Sequence, residues 1–296
     1  MKVFITGASG YIGTVVAAKL RDLGHQVIGL AHSEASARKL ETAGAQAVRG
    51  DMRDLPLVVR AARESAAAIH LAQEYSADTA QLDRQIADTV LEEFRLTGRP
   101  FLYTSGVWVL GNTGARDADE TTPVNPTPVV AWRPEHEQLV LQAQGPRGIV
   151  IRPAMVYGRG GGFAGDFQRQ AREHGVVRHV GPGDNRWPLV HVDDLAALYV
   201  LALQAPAGSL YLAAAGPSMK VEDVARAAAA PFGARVESIP LAEARLTMGL
   251  MADALTLDQS ISSRKAMREL GWTPQAKSVL EELSHQAGGT APLKSL

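Results

Sequence analysis

The sequence predicts an α/β protein in which a doubly wound parallel sheet is joined to a small C-terminal lobe. Short apolar segments alternate with helix-patterned segments over the first half, and a glycine-rich turn follows the first apolar segment. The regular alternation stops soon after residue 150 of 296. Alternating strands and helices are typical of parallel sheets, because each crossover lays a helix on a sheet face. We expect one domain over residues 1–150, with a return segment at about 186–213, and a lobe from residues 151–185 and 214–296.

The elements of the first half follow one another at short spacing. In the first helix the apolar residues Val15, Val16 and Leu20 recur on one face, and Gly24 ends the pattern. Strands are expected at Lys2–Thr6, Gln26–Ala31, Ala45–Arg49, Ala67–Leu71, Pro100–Thr104 and Gly148–Arg152. Helices are expected at Ile12–Leu23, Ala35–Ala43, Leu55–Glu64, Thr79–Leu96 and Glu135–Gln144.

The second half is less regular. A glycine-rich loop, Gly158–Gly162, precedes a helix expected at Phe167–His174. Strand Leu189–Val192, helix Asp193–Leu203 and strand Ser209–Ala213 are expected to return to the sheet. The segments expected to build the small lobe are Val221–Pro231, Arg235–Pro240 and Ser262–Leu270. We expect disorder only over about the last ten residues.

Composition and charge argue against several classes of function. Lys and Arg total 30 against 31 Asp and Glu, so nucleic acid or an anionic membrane is not an expected partner. The chain has no cysteine, which excludes disulfides and thiolate metal sites and fits a reducing cytoplasm. Because the first strand begins at Lys2 and no apolar run is long enough to span a membrane, we expect a cytoplasmic protein without a signal peptide. Asp193 and Asp194 are expected to cap a helix rather than to bind a metal.

The glycine-rich turn carries the strongest functional signal. Its sequence is Gly7-Ala8-Ser9-Gly10-Tyr11-Ile12-Gly13, between the first strand and the first helix. Gly7 permits a tight turn, Gly10 lets the backbone approach a pyrophosphate, and Gly13 allows close packing of helix on strand. A glycine-rich turn without a ligand is the alternative, but this context favours a Rossmann-type site for a nicotinamide dinucleotide. The cofactor residues expected here are Gly7, Ser9, Gly10, Tyr11, Ile12 and Gly13.

The end of the second strand favours NADP(H) over NAD(H). Proteins that bind NAD usually place Asp or Glu there to hold the ribose hydroxyls, whereas this chain has Ala31-His32-Ser33. Without a carboxylate a 2′-phosphate is not repelled, Ser33 can donate a hydrogen bond, and His32 and Arg38 can bring positive charge. A solvent-exposed helix face remains the alternative explanation for Arg38 and Lys39.

Further motifs point to a family. They are Gly50-Asp51-Met52, Ile69-His70-Leu71-Ala72, Tyr103-Thr104-Ser105-Gly106, Ile151-Arg152-Pro153, Val156-Tyr157-Gly158, Val190-His191-Val192-Asp193-Asp194 and Glu269-Leu270-Gly271-Trp272-Thr273-Pro274. With the glycine turn, they make nearly the whole chain resemble the extended short-chain dehydrogenase/reductase family, which includes NAD-dependent epimerases, dehydratases and reductases. The resemblance implies that Asp51 and Met52 flank the adenine and that Leu71 and Ala72 line the cofactor groove. It also implies that Ser105 faces the reacting carbon.

The chain departs from this family at the catalytic pair. Family members normally use a tyrosine and a lysine four residues later, because the ammonium group lowers the tyrosine pKa for proton transfer. None of the six tyrosines is followed by lysine at that spacing. The two family positions fall on Val129 and Arg133. Arg133 can hold the nicotinamide ribose or a phosphate, but it stays charged and is no acid–base group near neutrality.

Other side chains are therefore considered for the chemistry. Ser105 is the first choice for orienting a carbonyl oxygen, with hydrogen bonding to the turn backbone as the alternative. Tyr157 is the best remaining phenol, and amphipathic packing is its alternative. His191 could titrate near neutral pH but equally fits a structural position.

The substrate residues expected are Ser105, Trp132, Tyr157, Arg186 and His191. Arg186 suits a carboxylate or phosphate, although an ion pair between the lobes is equally compatible. The loop Gly158–Gly162 is either a lid over the pocket or a flexible connection.

Together these features predict an NADP(H)-dependent oxidoreductase that reduces a small carbonyl or imine, or oxidises the corresponding alcohol. An epimerase or dehydratase of a sugar-like substrate is an alternative, although its cycle needs the missing tyrosine. A dinucleotide-binding regulator without turnover is another. The expected partner is a small-molecule substrate, and a homodimer is left open.

Overall fold

The computed structural model describes residues 1–74 and 76–285, and its chain alternates strands and helices from the start. The strands are β1 (Lys2–Thr6), β2 (Gln26–Ala31), β3 (Gln46–Arg49), β4 (Ala67–His70), β5 (Pro100–Thr104), β6 (Asp117–Ala118), β7 (Arg147–Pro153), β8 (Met155–Tyr157), β9 (Val176–Val180), β10 (Arg186–Trp187), β11 (Leu189–His191), β12 (Ser209–Ala213), β13 (Met219–Lys220), β14 (Arg235–Ile239) and β15 (Ser260–Ile261).

The helices pack on the sheet and fill the second lobe. They are α1 (Tyr11–Asp22), α2 (Glu34–Thr42), α3 (Leu55–Arg63), α4 (Thr79–Phe94), α5 (Arg133–Leu141), α6 (Gly162–His174), α7 (Val192–Ala202), α8 (Val221–Ala229), α9 (Leu241–Met248), α10 (Met251–Leu255), α11 (Arg264–Leu270) and α12 (Val279–His285). Short 3₁₀ turns lie at Val107–Leu110, Pro128–Val130 and Ala230–Phe232.

The central sheet is parallel and has the strand order β12-β7-β5-β4-β1-β2-β3. The chain runs outward from β1 to β3 and then crosses back to β4, on the other side of β1. The carboxyl ends of β1 and β4 therefore form a topological switch point, where open α/β sheets bind ligands. The predicted α/β fold with a doubly wound parallel sheet is confirmed.

Alternation along the strands builds a core on each face of the sheet. Val3 and Ile5 belong to the cluster that includes Leu20 of α1 and Leu198 of α7. Phe4, between them, points to the opposite cluster with α3 and α4. Successive side chains of a strand point to opposite faces, so a fully apolar strand is buried on both.

A separate apolar cluster fills the C-terminal lobe. It combines residues from β8, α6, β9 and α8 with the aromatic rings of Phe167 and Trp187, which stack with centroids 5.9 Å apart. The strand pairs β9–β14 and β8–β11 tie distant segments of the lobe together.

Several predicted elements are corrected. The strand expected at Leu189–Val192 does not rejoin the main sheet: β11 pairs with β8, and only β12 extends the sheet beside β7. Helix α6 begins at Gly162, earlier than the expected Phe167, and strand β9 was not expected at all. These segments find their partners far away in the sequence, so local periodicity could not assign them. The tail expected to be disordered, about the last ten residues, falls within residues 286–296, which lie outside the described residues.

Candidate functional site

The carboxyl ends of β1, β2 and β4 border a cleft of about 590 Å³, which we call the switch-point cleft. It lies where the strand order reverses, and many of its residues come from loops that follow a strand. The lining residues are Gly7, Ser9, Gly10, Tyr11, Ile12, Gly13, Leu30, His32, Gly50, Asp51, Met52, Leu71, Ala72, Gln73 and Glu74.

The glycine turn gives the cleft an anion-binding geometry. Gly7 has φ +72° and accepts a hydrogen bond from the Gly10 N–H at 2.9 Å. A Cβ on Gly13 would lie 2.0 Å from the Gly7 carbonyl oxygen, so only glycine allows this helix to start so close to the strand. Helix α1 has no side-chain cap and no acidic residue in its first turn. Its positive end is therefore open to an anion such as a pyrophosphate.

Charge pairs hold the loop after β3, which borders the cleft. Asp51 accepts a hydrogen bond from the Arg53 backbone N–H at 2.8 Å. The Arg53 guanidinium in turn pairs with Glu74 at 2.8 Å and with Asp78 at 3.1 Å. These contacts fix the loops after β3 and β4 relative to each other.

At the end of β2 the structure brings only part of the predicted set to the cleft. His32 lines the cleft, whereas Ser33 and Arg38 do not. The Ser33 hydroxyl caps α2 by accepting the Ser36 N–H, and the Arg38 side chain is 72% exposed beside Glu34. The Ser33 oxygen accepts a hydrogen bond at the start of α2 while its O–H can still donate, so its predicted contact with the cofactor remains a prediction.

Lys39 has a position that the sequence did not reveal. Its ammonium group donates to the backbone carbonyl of Ser9 at 2.8 Å, which places a positive charge beside the glycine turn. The sequence offered only a helix-face pattern here, because nothing local shows that α2 packs against this loop.

A second, smaller cavity of about 300 Å³ adjoins the cleft and shares Tyr11, Ile12, Leu71, Ala72 and Gln73 with it. We call it the apolar pocket. Its other lining residues are Thr104, Ser105, Gly106, Val107, Trp108, Val130, Arg133, Pro153, Ala154, Met155, Val156, Gly162 and Phe163.

Hydroxyl groups in the apolar pocket differ in their hydrogen bonding. The Tyr11 hydroxyl donates to the Gly158 carbonyl at 2.8 Å, and the Thr104 hydroxyl bonds to that of Tyr199 at 2.6 Å. Ser105 is 8% exposed, and its Oγ has no hydrogen-bond partner in the described part of the chain. A buried polar atom without a partner is costly. Ser105 is thus the hydroxyl in this pocket that is available to a ligand.

Arg133 provides the positive charge of the pocket. It is the first residue of α5 and is 5% exposed. Its guanidinium donates to the Thr104 carbonyl at 2.7 Å and to the Gln73 side chain at 3.0 Å. Both acceptors are neutral, so the remaining N–H groups and the charge can act on a bound molecule.

A buried polar network lies behind Arg133. The Asp83 carboxylate accepts hydrogen bonds from the Tyr103 hydroxyl at 2.6 Å, from His136 at 2.8 Å and from His70 at 3.1 Å. Burial alone would raise the pKa of Asp83, but the hydrogen bonds from His136 and His70, together with nearby positive charge, hold its pKa well below the usual range. Asp83 therefore remains a carboxylate.

Tyr157 and His191 do not line the apolar pocket, so their predicted roles at the site remain predictions. The Tyr157 hydroxyl donates to the Lys277 carbonyl at 2.7 Å, and the side chain is buried in the C-terminal lobe. His191 packs edge-on against Tyr157 and caps α7 by accepting the Asp193 N–H through Nδ1. This cap belongs to His191, whereas Asp194 accepts the Gln275 and Ala276 N–H groups.

Trp132 and Arg186 do not line the pocket either, so their predicted substrate contacts also remain predictions. Trp132 lies over the Arg133 guanidinium at 4.5 Å, outside the pocket wall. Arg186 forms a two-point ion pair with Asp258, with both hydrogen bonds at 2.8 Å. The alternative of an ion pair was therefore the right one for Arg186.

The loop Gly158–Gly162 is anchored on several sides. Tyr11 holds the Gly158 carbonyl, and Arg159, with φ +53°, pairs with Asp193 at 2.9 Å. The Arg159 backbone N–H also donates to Glu282 at 3.1 Å. The loop connects the glycine turn to the C-terminal lobe through these contacts.

The pocket walls include residues that sequence reasoning missed. Gln73 and Thr104 could have been found, because both lie at the carboxyl end of a parallel strand. Trp108, Met155 and Phe163 gave no local signal, since apolar side chains that line a pocket look like core residues in the sequence.

The fold and these two cavities define a Rossmann-type dinucleotide-binding enzyme with a second lobe. Residues 3–213 match the model of the NAD dependent epimerase/dehydratase family. The chain belongs to this family and is an NAD(P)-dependent enzyme of the short-chain dehydrogenase/reductase type.

The proteins similar to this chain include a reductase and a dehydratase. An uncharacterized protein of Saccharomyces cerevisiae is 33% identical over 96% of this chain and 98% of its own length. A 2-alkyl-3-oxoalkanoate reductase of Stenotrophomonas maltophilia is 26% identical over 79% of this chain and 76% of its own length. The dTDP-glucose 4,6-dehydratase of Bacillus anthracis, solved with NAD, superposes with a TM-score of 0.82 at 17% identity, covering 97% and 95% of the two chains.

No helix within residues 1–74 and 76–285 is long and apolar enough to cross a membrane.

Proposed function

We propose that this chain is an NADP(H)-dependent oxidoreductase that reduces a small carbonyl or imine, or oxidises the corresponding alcohol. One observation carries the proposal. The unpartnered hydroxyl of Ser105 and the buried guanidinium of Arg133 line a pocket that shares a wall with the cleft at the glycine turn.

The cleft residues fit a dinucleotide. The uncapped end of α1 suits the pyrophosphate, which we assign to Gly7, Ser9, Gly10, Tyr11, Ile12 and Gly13. We assign the adenine side to Asp51 and Met52, the nicotinamide side to Leu71 and Ala72, and the nicotinamide ribose to Arg133. A bound nicotinamide supplies the hydride donor or acceptor of the reaction.

A preference for NADP(H) is supported by the charges around the end of β2. The end of β2, Ala31 followed by His32, carries no carboxylate. Lys39 brings an ammonium group to the glycine turn. The nearest acid along the chain, Glu34, is paired with Arg49 at 2.5 Å. The two carboxylates that line the cleft, Asp51 and Glu74, are both paired with Arg53, so the ammonium group of Lys39 can favour a 2′-phosphate on this side.

Ser105 and Arg133 together can stabilise the reacting oxygen. During reduction a carbonyl oxygen gains negative charge, and a preorganised hydrogen-bond donor and a positive charge stabilise that change. The Ser105 hydroxyl donates the hydrogen bond and Arg133 supplies the charge. We assign the final protonation of the oxygen to water, because the described pocket residues include no histidine, carboxylate or lysine.

One of the relatives supports carbonyl reduction. The reductase of Stenotrophomonas maltophilia is named for an oxo compound that it reduces. An epimerase or dehydratase cycle needs a base at two steps. The phenol that lines the cleft, Tyr11, already donates a hydrogen bond to the Gly158 carbonyl. The oxidoreductase therefore accounts for the pocket better than that alternative.

The proposal is tested by titrating the protein with NADPH and NADH and then assaying a panel of carbonyls and imines. We expect tighter binding of NADPH, and oxidation of NADPH with at least one neutral carbonyl. Equal affinity for both cofactors would contradict the NADP(H) preference. Tight cofactor binding without turnover of any panel member would contradict the proposed reaction and favour a regulatory role.

A further inference from the structure

We infer that the substrate is an uncharged, compact carbonyl compound with an apolar, preferably aromatic, substituent, and that nucleoside diphosphate sugars are excluded. This inference rests on the proposed function, since it names the substrate class of the same pocket. It is argued from the wall, the volume and the charge of the apolar pocket.

The side of the apolar pocket that it does not share with the cleft is largely apolar and partly aromatic. Val107, Val130 and Met155 contribute aliphatic surface, and Trp108 lies beside Phe163 with ring centroids 6.3 Å apart. Phe163 continues the contact to Trp187 at 5.8 Å, so the two lining rings are supported by the core of the lobe. Such a wall gains most from an aryl or alkyl group, because tilted and offset rings attract each other and burial removes apolar surface from water.

The volume restricts the length of the substrate. The pocket measures about 300 Å³, which is the lower end of the range of about 300–1,000 Å³ that drug-sized ligands occupy. Five of its lining residues also border the cleft, so part of this space belongs to the nicotinamide end of the cofactor. A nucleoside diphosphate sugar would have to extend beyond this pocket and find its contacts elsewhere on the protein.

A negative charge lies behind the one positive charge of the pocket. Arg133 is the one charged side chain among the described residues that line it. The Asp83 carboxylate behind it is buried and stays ionised, held by hydrogen bonds from Tyr103 and His136. A substrate carboxylate would have to lose its hydration beside the apolar wall and would be repelled by Asp83, whereas the partial charge that develops on a carbonyl oxygen needs only Ser105 and Arg133.

Three arginines in the second half of the chain are already paired with carboxylates. Arg186 is engaged with Asp258, Arg178 with Glu237, and Arg245 with Asp253. None of the three lines the pocket. Recognition of a diphosphate normally requires free arginine or lysine side chains, or backbone N–H groups, at the site.

The test compares three probes on the unmodified protein: acetophenone, its carboxylate 4-acetylbenzoate, and UDP-glucose. Binding is measured by calorimetry with and without NADP⁺, and turnover is measured separately with NADPH. We expect acetophenone to bind at least about tenfold more tightly than 4-acetylbenzoate, and UDP-glucose to give no binding heat. The inference is overturned if 4-acetylbenzoate or UDP-glucose binds as tightly as acetophenone, or if none of the three binds. If acetophenone binds but neither it nor any carbonyl or imine of the panel is reduced, the inference stands and the proposed reaction fails.

A variant locates the binding in the aromatic wall. Trp108→Ala is expected to weaken acetophenone binding by about tenfold and leave NADP⁺ binding unchanged, whereas Trp108→Phe retains most of the affinity. Phe232→Ala, which removes a partly exposed ring of another 3₁₀ turn, is the matched control and should change neither. Unchanged acetophenone affinity in Trp108→Ala would refute the aromatic wall. The probe comparison needs no variant and decides the inference even if Trp108→Ala does not fold.

Discussion

The switch-point cleft and the apolar pocket touch each other, yet they are built in different ways. At the glycine turn the cleft is built from backbone: three glycines and the open end of α1. The apolar pocket is built from side chains of the loops after β4, β5 and β7 together with α5 and α6. Backbone geometry is fixed by a short local sequence, whereas a side-chain wall depends on how distant segments pack. The glycine positions of the cleft should therefore tolerate only glycine. Substitutions in the wall of the apolar pocket should change which substrate is accepted.

The largest effect is expected from Gly13→Ala. A Cβ there would lie 2.0 Å from the Gly7 carbonyl, so the turn must open and the pyrophosphate position is lost. We expect NADPH affinity to fall about 1,000-fold, which corresponds to about 4 kcal/mol. Fluorescence titration with NADPH measures this change. The control is Gly24→Ala, which lies outside the cleft at φ +79° and whose added Cβ meets no atom within 4 Å. A Gly13→Ala protein that binds NADPH normally would contradict the backbone-built site.

Ser105→Ala should affect the pocket and spare the cleft. Loss of a preorganised donor at a developing oxyanion costs about 100-fold in kcat. The dissociation constant for NADPH should stay unchanged, because Ser105 does not line the cleft. Ser105→Thr keeps the hydroxyl and should recover part of the rate. Equal losses in kcat and in cofactor affinity would show that Ser105 supports the fold and not the reaction.

Lys39→Ala tests the charge beside the glycine turn. The ammonium group is close to the loop but exposed to solvent, so its contribution is expected to be modest, about fivefold in NADPH affinity. NADH affinity should fall less, because NADH lacks the 2′-phosphate and shares only the pyrophosphate with NADPH. Arg38→Ala removes the neighbouring cation, which pairs with Glu34 away from the cleft, and should leave both affinities unchanged. The reverse pattern would restore Arg38 as the residue that recognises the phosphate.

The smallest expected effect is that of pH. Burial, reinforced by nearby carboxylates such as Glu282, raises the pKa of Tyr11 above its usual value, so its phenol stays protonated through alkaline pH. Arg133 stays charged over the same range. We therefore expect kcat/KM to be nearly constant between about pH 6 and pH 9, in contrast to an enzyme whose tyrosine is activated by a lysine. A pH–rate profile with an ionisation near neutrality would point to a titrating group that the pocket residues do not explain.

Much of the fold and of the cleft could be predicted because the signals are local. The glycine turn, Asp51 and Met52 after β3, and Leu71 and Ala72 after β4 all follow a strand directly, and the structure gathers them around one cleft. Parallel strands bring their carboxyl ends to one edge, so sequence order alone places these residues together.

The predicted roles that the two cavities do not support share a different cause. Tyr157, His191 and Arg186 looked like free functional groups, but each has a partner that the sequence does not show: Lys277, the end of α7, and Asp258. Ser33 was taken as a phosphate ligand although it caps a helix. The walls formed by Trp108 and Phe163 were missed for the same reason, because they come together only through tertiary packing.

The most direct test of the central claim is a crystal structure of the protein with NADP⁺. The account predicts the pyrophosphate against the backbone N–H groups at the start of α1, and the nicotinamide ring at the entrance of the apolar pocket next to Ser105. Density for the dinucleotide at any other place, or a nicotinamide ring turned away from Ser105, would contradict it.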